Sequence, residues 1–97
     1  MAVAVMMRWD GVTSEHYDAV RKLVDWEGTP AAGGLFRVAG FDDRGLRVTD
    51  IWETPEAFQA FVADRLMPGV KRVGVRGEPA VEIVPVHALF APAFERV

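Results

Sequence analysis

The sequence predicts an α+β domain in which one four-stranded antiparallel sheet carries two helices on a single face. Three observations predict it. Hydrophobic periodicity along the chain runs in the order strand, helix, strand, strand, helix, strand. The segment from Leu46 to Leu66, LRVTDIWETPEAFQAFVADRL, changes period at Trp52-Glu53-Thr54-Pro55, so a strand turns directly into a helix. Phe41-Asp42-Asp43-Arg44-Gly45 has hairpin-turn chemistry, which makes the two middle strands neighbours.

Each element has its own warrant. Ala2 to Trp9 is an almost wholly apolar run ended by the Asp10-Gly11 turn, which suits a buried strand. Thr13 offers a helix N-cap, with Glu15 in the first turn where a negative charge favours the helix dipole. His16, Ala19, Val20, Leu23 and Val24, with Trp26 as an extension, form an apolar stripe opposite Asp18, Arg21, Lys22 and Asp25. Gly28 to Gly34 is too rich in breakers for regular structure. Leu35 to Gly40 and Leu46 to Glu53 are the hairpin strands. Thr54 caps a helix beginning at Pro55, and Phe58, Phe61, Val62 and Leu66 recur at helical spacing. Pro68 to Val73 adds further helical turns ended by Gly74. The last strand runs from Val81 to about Leu89, and its Pro85, lacking an amide proton, belongs at a sheet edge or bulge. This is the ferredoxin-like βαββαβ order, and its usual solution leaves the second sheet face in need of a cover.

Composition narrows the function classes. At 97 residues the chain is expected to be a single domain over 1–97, and an apolar fraction of 51% exceeds what one small core hides. A homodimer is therefore expected. The absence of cysteine excludes disulfides, thiolate catalysis and cysteine-bound metal clusters. The opening MAVAVMM is too short for a membrane span and is interrupted by Arg8, which suggests a cytoplasmic protein with no membrane partner. A net charge of −3 with scattered basic residues argues against nucleic acid. No metal-ligand spacing, glycine-rich phosphate loop or nucleophile elbow is present, and Ser14, the sole serine, sits at a helix start.

The arrangement Ile51-Trp52-Glu53-Thr54-Pro55-Glu56-Ala57-Phe58 resembles the dimeric α/β-barrel superfamily that includes antibiotic-biosynthesis-monooxygenase-like proteins. Element order and length agree over nearly the whole chain. The resemblance implies two ferredoxin-like subunits whose sheets pack into a barrel, with a pocket between sheet and helices in each. It also implies departures. Many monooxygenase-like members carry a histidine where this chain has Phe61, and the haem-degrading branch places a tryptophan there and a haem ligand at the position of Lys71. That branch also uses an asparagine on the first strand, and residues 2–9 contain none. Haem degradation by that route is disfavoured.

Candidate site residues follow from chemistry and from this likeness together. His16 and His87 are the only histidines and hence the first general-base candidates, each with an alternative as an ordinary structural histidine. Trp52 shares a strand face with Asp50 by alternation, and serves either as a pocket floor or as core. Arg37 on the neighbouring strand either pairs with Asp50 or holds an anionic substrate oxygen. A four-residue hairpin loop sets Arg37 opposite Asp50, whereas a three-residue loop shifts the parity. Trp9 supplies a second aromatic wall, and Tyr17 and Phe61 complete the candidate lining. The implied activity is that of a small-molecule-binding dimer similar to the cofactor-independent oxygenases, acting on an aromatic, polyketide- or quinol-like compound without cofactor. The alternative is a non-catalytic ligand-binding or scaffold protein of the same fold.

Overall fold

Alternation along the two central strands decides which side of the sheet becomes the core. In the computed structural model, which describes residues 1–94, β1 (Val3–Asp10) and β3 (Gly45–Trp52) pair antiparallel, Val5 opposite Asp50 and Met7 opposite Val48. Val3, Val5, Met7 and Trp9 on β1, and Leu46, Val48, Asp50 and Trp52 on β3, all turn to one face and are buried. That face is covered by helices. β2 (Gly34–Phe41) pairs with β3, and β4 (Ala80–Pro85) pairs with β1, giving the order β2-β3-β1-β4. This is a four-stranded antiparallel ferredoxin-like sheet.

The helices form where caps and apolar spacing allow. α1 (Ser14–Val24) begins at Thr13, whose Oγ1 accepts from the His16 amide at 3.1 Å while the Thr13 amide donates to His16 Nδ1 at 3.3 Å. It ends at Asp25, which takes the left-handed conformation with φ 58°. The inner face of α1 is carried by Tyr17, Val20 and Val24, while Ala19 and Leu23 turn outward. The apolar stripe read from sequence is thus rotated toward Tyr17, because the sheet and not the mean periodicity selects the buried face.

α2 (Pro55–Phe61) starts from the Thr54 cap, whose hydroxyl accepts from the Ala57 amide at 3.1 Å. The expected continuous helix instead opens into a π-helical turn at Val62–Leu66 before α3 (Met67–Val73). Pro68 explains it: its ring has no N–H to give and crowds the carbonyl four residues back, and a wider turn relieves that crowding. The Met67 amide accordingly donates to Val62 O, five residues back. Phe61 and Leu66 are thereby aimed at different parts of the interior. α3 packs on α1 at Gly69, where a Cβ would stand 2.6 Å from Val24 Cγ2.

Two further expectations change. β4 ends at Pro85, paired with Val3 on an edge strand, so His87 lies beyond the strand and is exposed. One residue past Pro85 the Val86 amide still donates to Ala2 O at 2.9 Å, so the proline costs the pairing with β1 no bond there, as an edge position allows. The run from Ala91, where Pro92 and Phe94 suggest from sequence either an arm across a partner or a frayed tail, is described only as far as Phe94, whose ring meets Phe36 at 6.1 Å; residues 95–97 lie outside the described part.

The opposite sheet face is not covered. Phe36, Val38 and Val84 are 38%, 54% and 43% exposed, and Arg8 stands opposite Arg47 across β1 and β3. Among the described residues no helix is long and apolar enough to cross a membrane.

Candidate functional site

The polar centre of the helix-covered face is one ion pair. Phe41 pairs with Leu46 across the four residues Asp42 to Gly45, and the same register sets Arg37 opposite Asp50. Arg37 Nε donates to Asp50 Oδ1 at 2.7 Å and Nη2 to Oδ2 at 2.8 Å, a bidentate fork. Trp52 Nε1 donates to Asp50 Oδ2 at 3.2 Å. Asp50 is only 1% exposed, and these donors are what make a buried carboxylate tolerable there. Arg37 is 17% exposed at its side chain. Burial, the largest influence on Arg37, acts to lower its pKa, but hydrogen bonding and charge from Asp50, with a smaller part from Tyr17, outweigh it and the net direction is upward. The pair is charged and, taken together, electrically neutral.

Aromatic rings enclose the guanidinium. Its carbon lies 4.9 Å from the Trp26 ring centroid and 6.0 Å from that of Phe61, both within cation–π range. Tyr17 meets Trp26 edge-on at 5.6 Å, and Trp26 meets Phe61 at 6.4 Å. Phe61 and Phe58 in turn pack on Trp52 at 5.3 and 5.8 Å. Phe58, Phe61 and Trp52 are all buried, so the corner behind the ion pair is filled.

Two spaces meet at Arg37. An inner cavity of about 30 Å³ lies between sheet and helices and is lined by His16, Tyr17, Trp9, Trp26 and Arg37 among apolar side chains. It has room for about one water. An outer recess of about 210 Å³ is lined by Trp26, Arg37, Asp50, Trp52 and Phe61 beneath the loop that follows α1. Only Arg37 and Trp26 belong to both. They form the partition.

The structure therefore divides the residues expected from sequence. Arg37, Asp50, Trp52 and Phe61 come together at the recess, and His16, Tyr17 and Trp9 come together at the inner cavity. His87 joins neither. Tyr17, about 100° round the helix from His16, nonetheless lines the same cavity, since the first turn of α1 straddles it. His16 Nδ1 accepts the Thr13 amide proton, so the neutral ring carries its own proton on Nε2 and offers a donor. Trp9 Nε1 donates to Arg76 O at 2.9 Å, which ties its ring edge to the chain after α3. Trp26 was not legible as a site residue: it lies one position past the helix cap, where helical spacing no longer applies. The usable signal was a lone aromatic at the start of a breaker-rich loop. Among the described residues no cluster of three or more His, Cys, Asp or Glu side chains is arranged to hold a metal ion.

This geometry can be set beside solved structures. A protein of unknown function from Nitrosomonas europaea superposes with a TM-score of 0.71 at 16% identity, covering 94% of each chain. SnoaB, a cofactor-independent oxygenase from Streptomyces nogalater, gives 0.64 at 10% identity over 91% of this chain and 94% of its own. The fold is that of the antibiotic-biosynthesis-monooxygenase-like proteins. The ActVA-Orf6 monooxygenase of Streptomyces coelicolor, solved with nanaomycin D, shares this monooxygenase-like fold at a TM-score of 0.58 and 20% identity, over 93% of this chain and 91% of its own. No protein-family model matches the sequence, and no curated protein matches it.

Proposed function

We propose that the protein is a small-molecule-binding homodimer, monooxygenase-like in its site, that holds an aromatic, polyketide- or quinol-like compound between sheet and helices. The observation that carries this reading is the partition: His16, Tyr17, Trp9 and Arg37 converge on one cavity, and Arg37 opens from it onto a recess floored by Trp52. The chemistry asked of the protein is modest. An electron-rich phenol or enol, once deprotonated, passes an electron to dioxygen itself, the two radicals combine into a carbon-bound peroxide, and protonation with cleavage of the O–O bond and loss of water leaves the carbonyl of the oxidised product. The protein supplies an apolar space and donors for the developing oxyanion. Arg37 and Tyr17 fill the donor role. His16 takes the substrate proton if its ring leaves the Thr13 amide; otherwise its Nε2–H is a third donor. The likeness to SnoaB and ActVA-Orf6 supports the same direction through the fold alone.

Oxygen uptake with a naphthohydroquinone, corrected for uncatalysed autoxidation, tests the activity. Uptake that falls on Tyr17→Phe, in a variant shown by circular dichroism to be folded, supports it, and uptake equal to background sinks catalysis on that class. A second reading, ligand binding without turnover, is favoured by the His16 Nδ1 contact with Thr13 and by the corner filled by Phe58, Phe61 and Trp52. A co-purified aromatic in the mass spectrum of the denatured extract, with no oxygen uptake, selects it.

The dimer rests on the uncovered sheet face, where Phe36, Val38 and Val84 leave an apolar surface in water that a second copy buries at favourable free energy. Sedimentation should give a dimer that Val38→Asp dissociates. A wild-type monomer at tens of micromolar overturns this part.

A further inference from the structure

The indole of Trp26 occupies the place a planar ligand would want. It lies on the Arg37 guanidinium at 4.9 Å, flanked by Phe61 at 6.4 Å and by Tyr17 at 5.6 Å, and it is only partly buried. Leaving that seat would remove one of the two side chains, with Arg37, that line both the inner cavity of about 30 Å³ and the recess of about 210 Å³. Trp26 also stands outside the strand ladders, in the loop between the left-handed Asp25 on one side and Gly33, at φ 83°, on the other. Charge then restricts which ligand can replace the indole. Asp50 already takes Nε–H and one Nη2–H of Arg37, and the Tyr17 hydroxyl is the other oxygen that acts on the guanidinium, whereas no hydrogen bond from Nη1 is found among the described residues. A donor is free, but the charge behind it is matched.

We propose that a planar aromatic ring displaces Trp26 from the Arg37 guanidinium, and that an uncharged oxygen on that ring, a phenol hydroxyl or a quinone carbonyl, accepts from Arg37 Nη1. This deepens the proposed function and rests on its reading of the pocket. The ligand class is neutral, because a carboxylate or phosphate brought here has to lose its water beside Asp50, a buried carboxylate that holds the neighbouring donors. Trp26 competes for the seat and sets the threshold for binding, so only rings that stack better than an indole fill it.

Isothermal titration with 2-naphthol and 2-naphthoate at pH 7 tests the proposal, as the two share a ring system and differ in charge. The expected result is that 2-naphthol binds at least about tenfold more tightly, and that Trp26→Ala tightens it a further several-fold by removing the competitor. Asp50→Asn, which keeps a hydrogen-bonding side chain but leaves Arg37 unmatched, should shift preference toward 2-naphthoate. Circular dichroism establishes that each variant is folded; if Asp50→Asn is not, the comparison of wild type with Trp26→Ala alone decides. Equal affinity for the two probes, or 2-naphthol binding that Trp26→Ala leaves unchanged or weakens, overturns the proposal. If such Trp26-insensitive binding is abolished by the cavity-filling Val48→Phe, the pocket reading survives and only the Trp26 seat is wrong. No binding to wild type or to Trp26→Ala overturns both.

Discussion

Arg37 and Asp50 stand directly opposite each other across β2 and β3 and meet through two parallel hydrogen bonds of 2.7 and 2.8 Å, beneath the ring of Trp26. The two are unequal. Asp50 is sealed in the core whereas Arg37 retains a path to water, so losing the arginine harms the fold more than losing the carboxylate.

Arg37→Met should therefore cost about 3–5 kcal/mol, since it strands a buried carboxylate with only the Trp52 N–H as partner. The double variant Arg37→Met/Asp50→Leu removes the charges together and should recover most of that loss. Urea denaturation of the wild type, the single and the double variant measures it. A single variant within about 1 kcal/mol of wild type would refute a stabilising pair.

Gly69 marks the closest approach of α1 and α3. An added methyl meets Val24 Cγ2, a stiff β-branched side chain with little room to turn, so Gly69→Ala should destabilise by about 1–3 kcal/mol despite alanine's better helix propensity. Val24→Ala in the same chain removes the obstacle. Thermal denaturation should find the double variant more stable than Gly69→Ala alone; purely additive losses would show that the contact is not the cause.

His16 sits at the third position of α1, where glutamine is a natural member of a capping box. His16→Gln should leave stability within about 0.5 kcal/mol of wild type, and His16→Ala should lose about 0.5–1 kcal/mol. The same pair separates donor from base: if His16 only donates, His16→Gln keeps oxygen uptake with the naphthohydroquinone. A loss of uptake in a stable His16→Gln variant would assign it the proton transfer.

The hairpin turn carries a pH dependence. Asp42 lies below the ordinary carboxyl value of 3.8, first because its carboxylate accepts the Arg44 amide, then through Arg47 and the Gly45 amide. A depressed carboxyl stabilises the fold above its ordinary pKa and ceases to do so as pH falls through its lower folded value. Stability should thus decline below about pH 3.8, more steeply in wild type than in Asp42→Asn. Matched acid limbs in urea titrations from pH 6 to pH 2 would rule Asp42 out as a contributor.

The sequence by itself determined the elements and their order, because each rests on local chemistry. The Thr54 hydroxyl and Pro55 start α2, Asp42 and Gly45 close the hairpin, and alternation along Leu46 to Trp52 assigns Asp50 and Trp52 to one face. It left the hairpin's loop length open, and with it the partner of Arg37. It also assigned a histidine to a strand that stops at Pro85, and it ran a regular helix from Pro55 to Leu66 where a π turn takes Val62–Leu66. Only the tertiary structure decided which way α1 rolls on the sheet, and so that Tyr17 faces inward while Leu23 does not. Only the tertiary structure brought Trp26 from a loop onto Arg37, 11 positions along the chain. Caps, turns and alternation act within a few residues and are legible in order; stacking and cavities are made by segments that meet in space, and no local period encodes them.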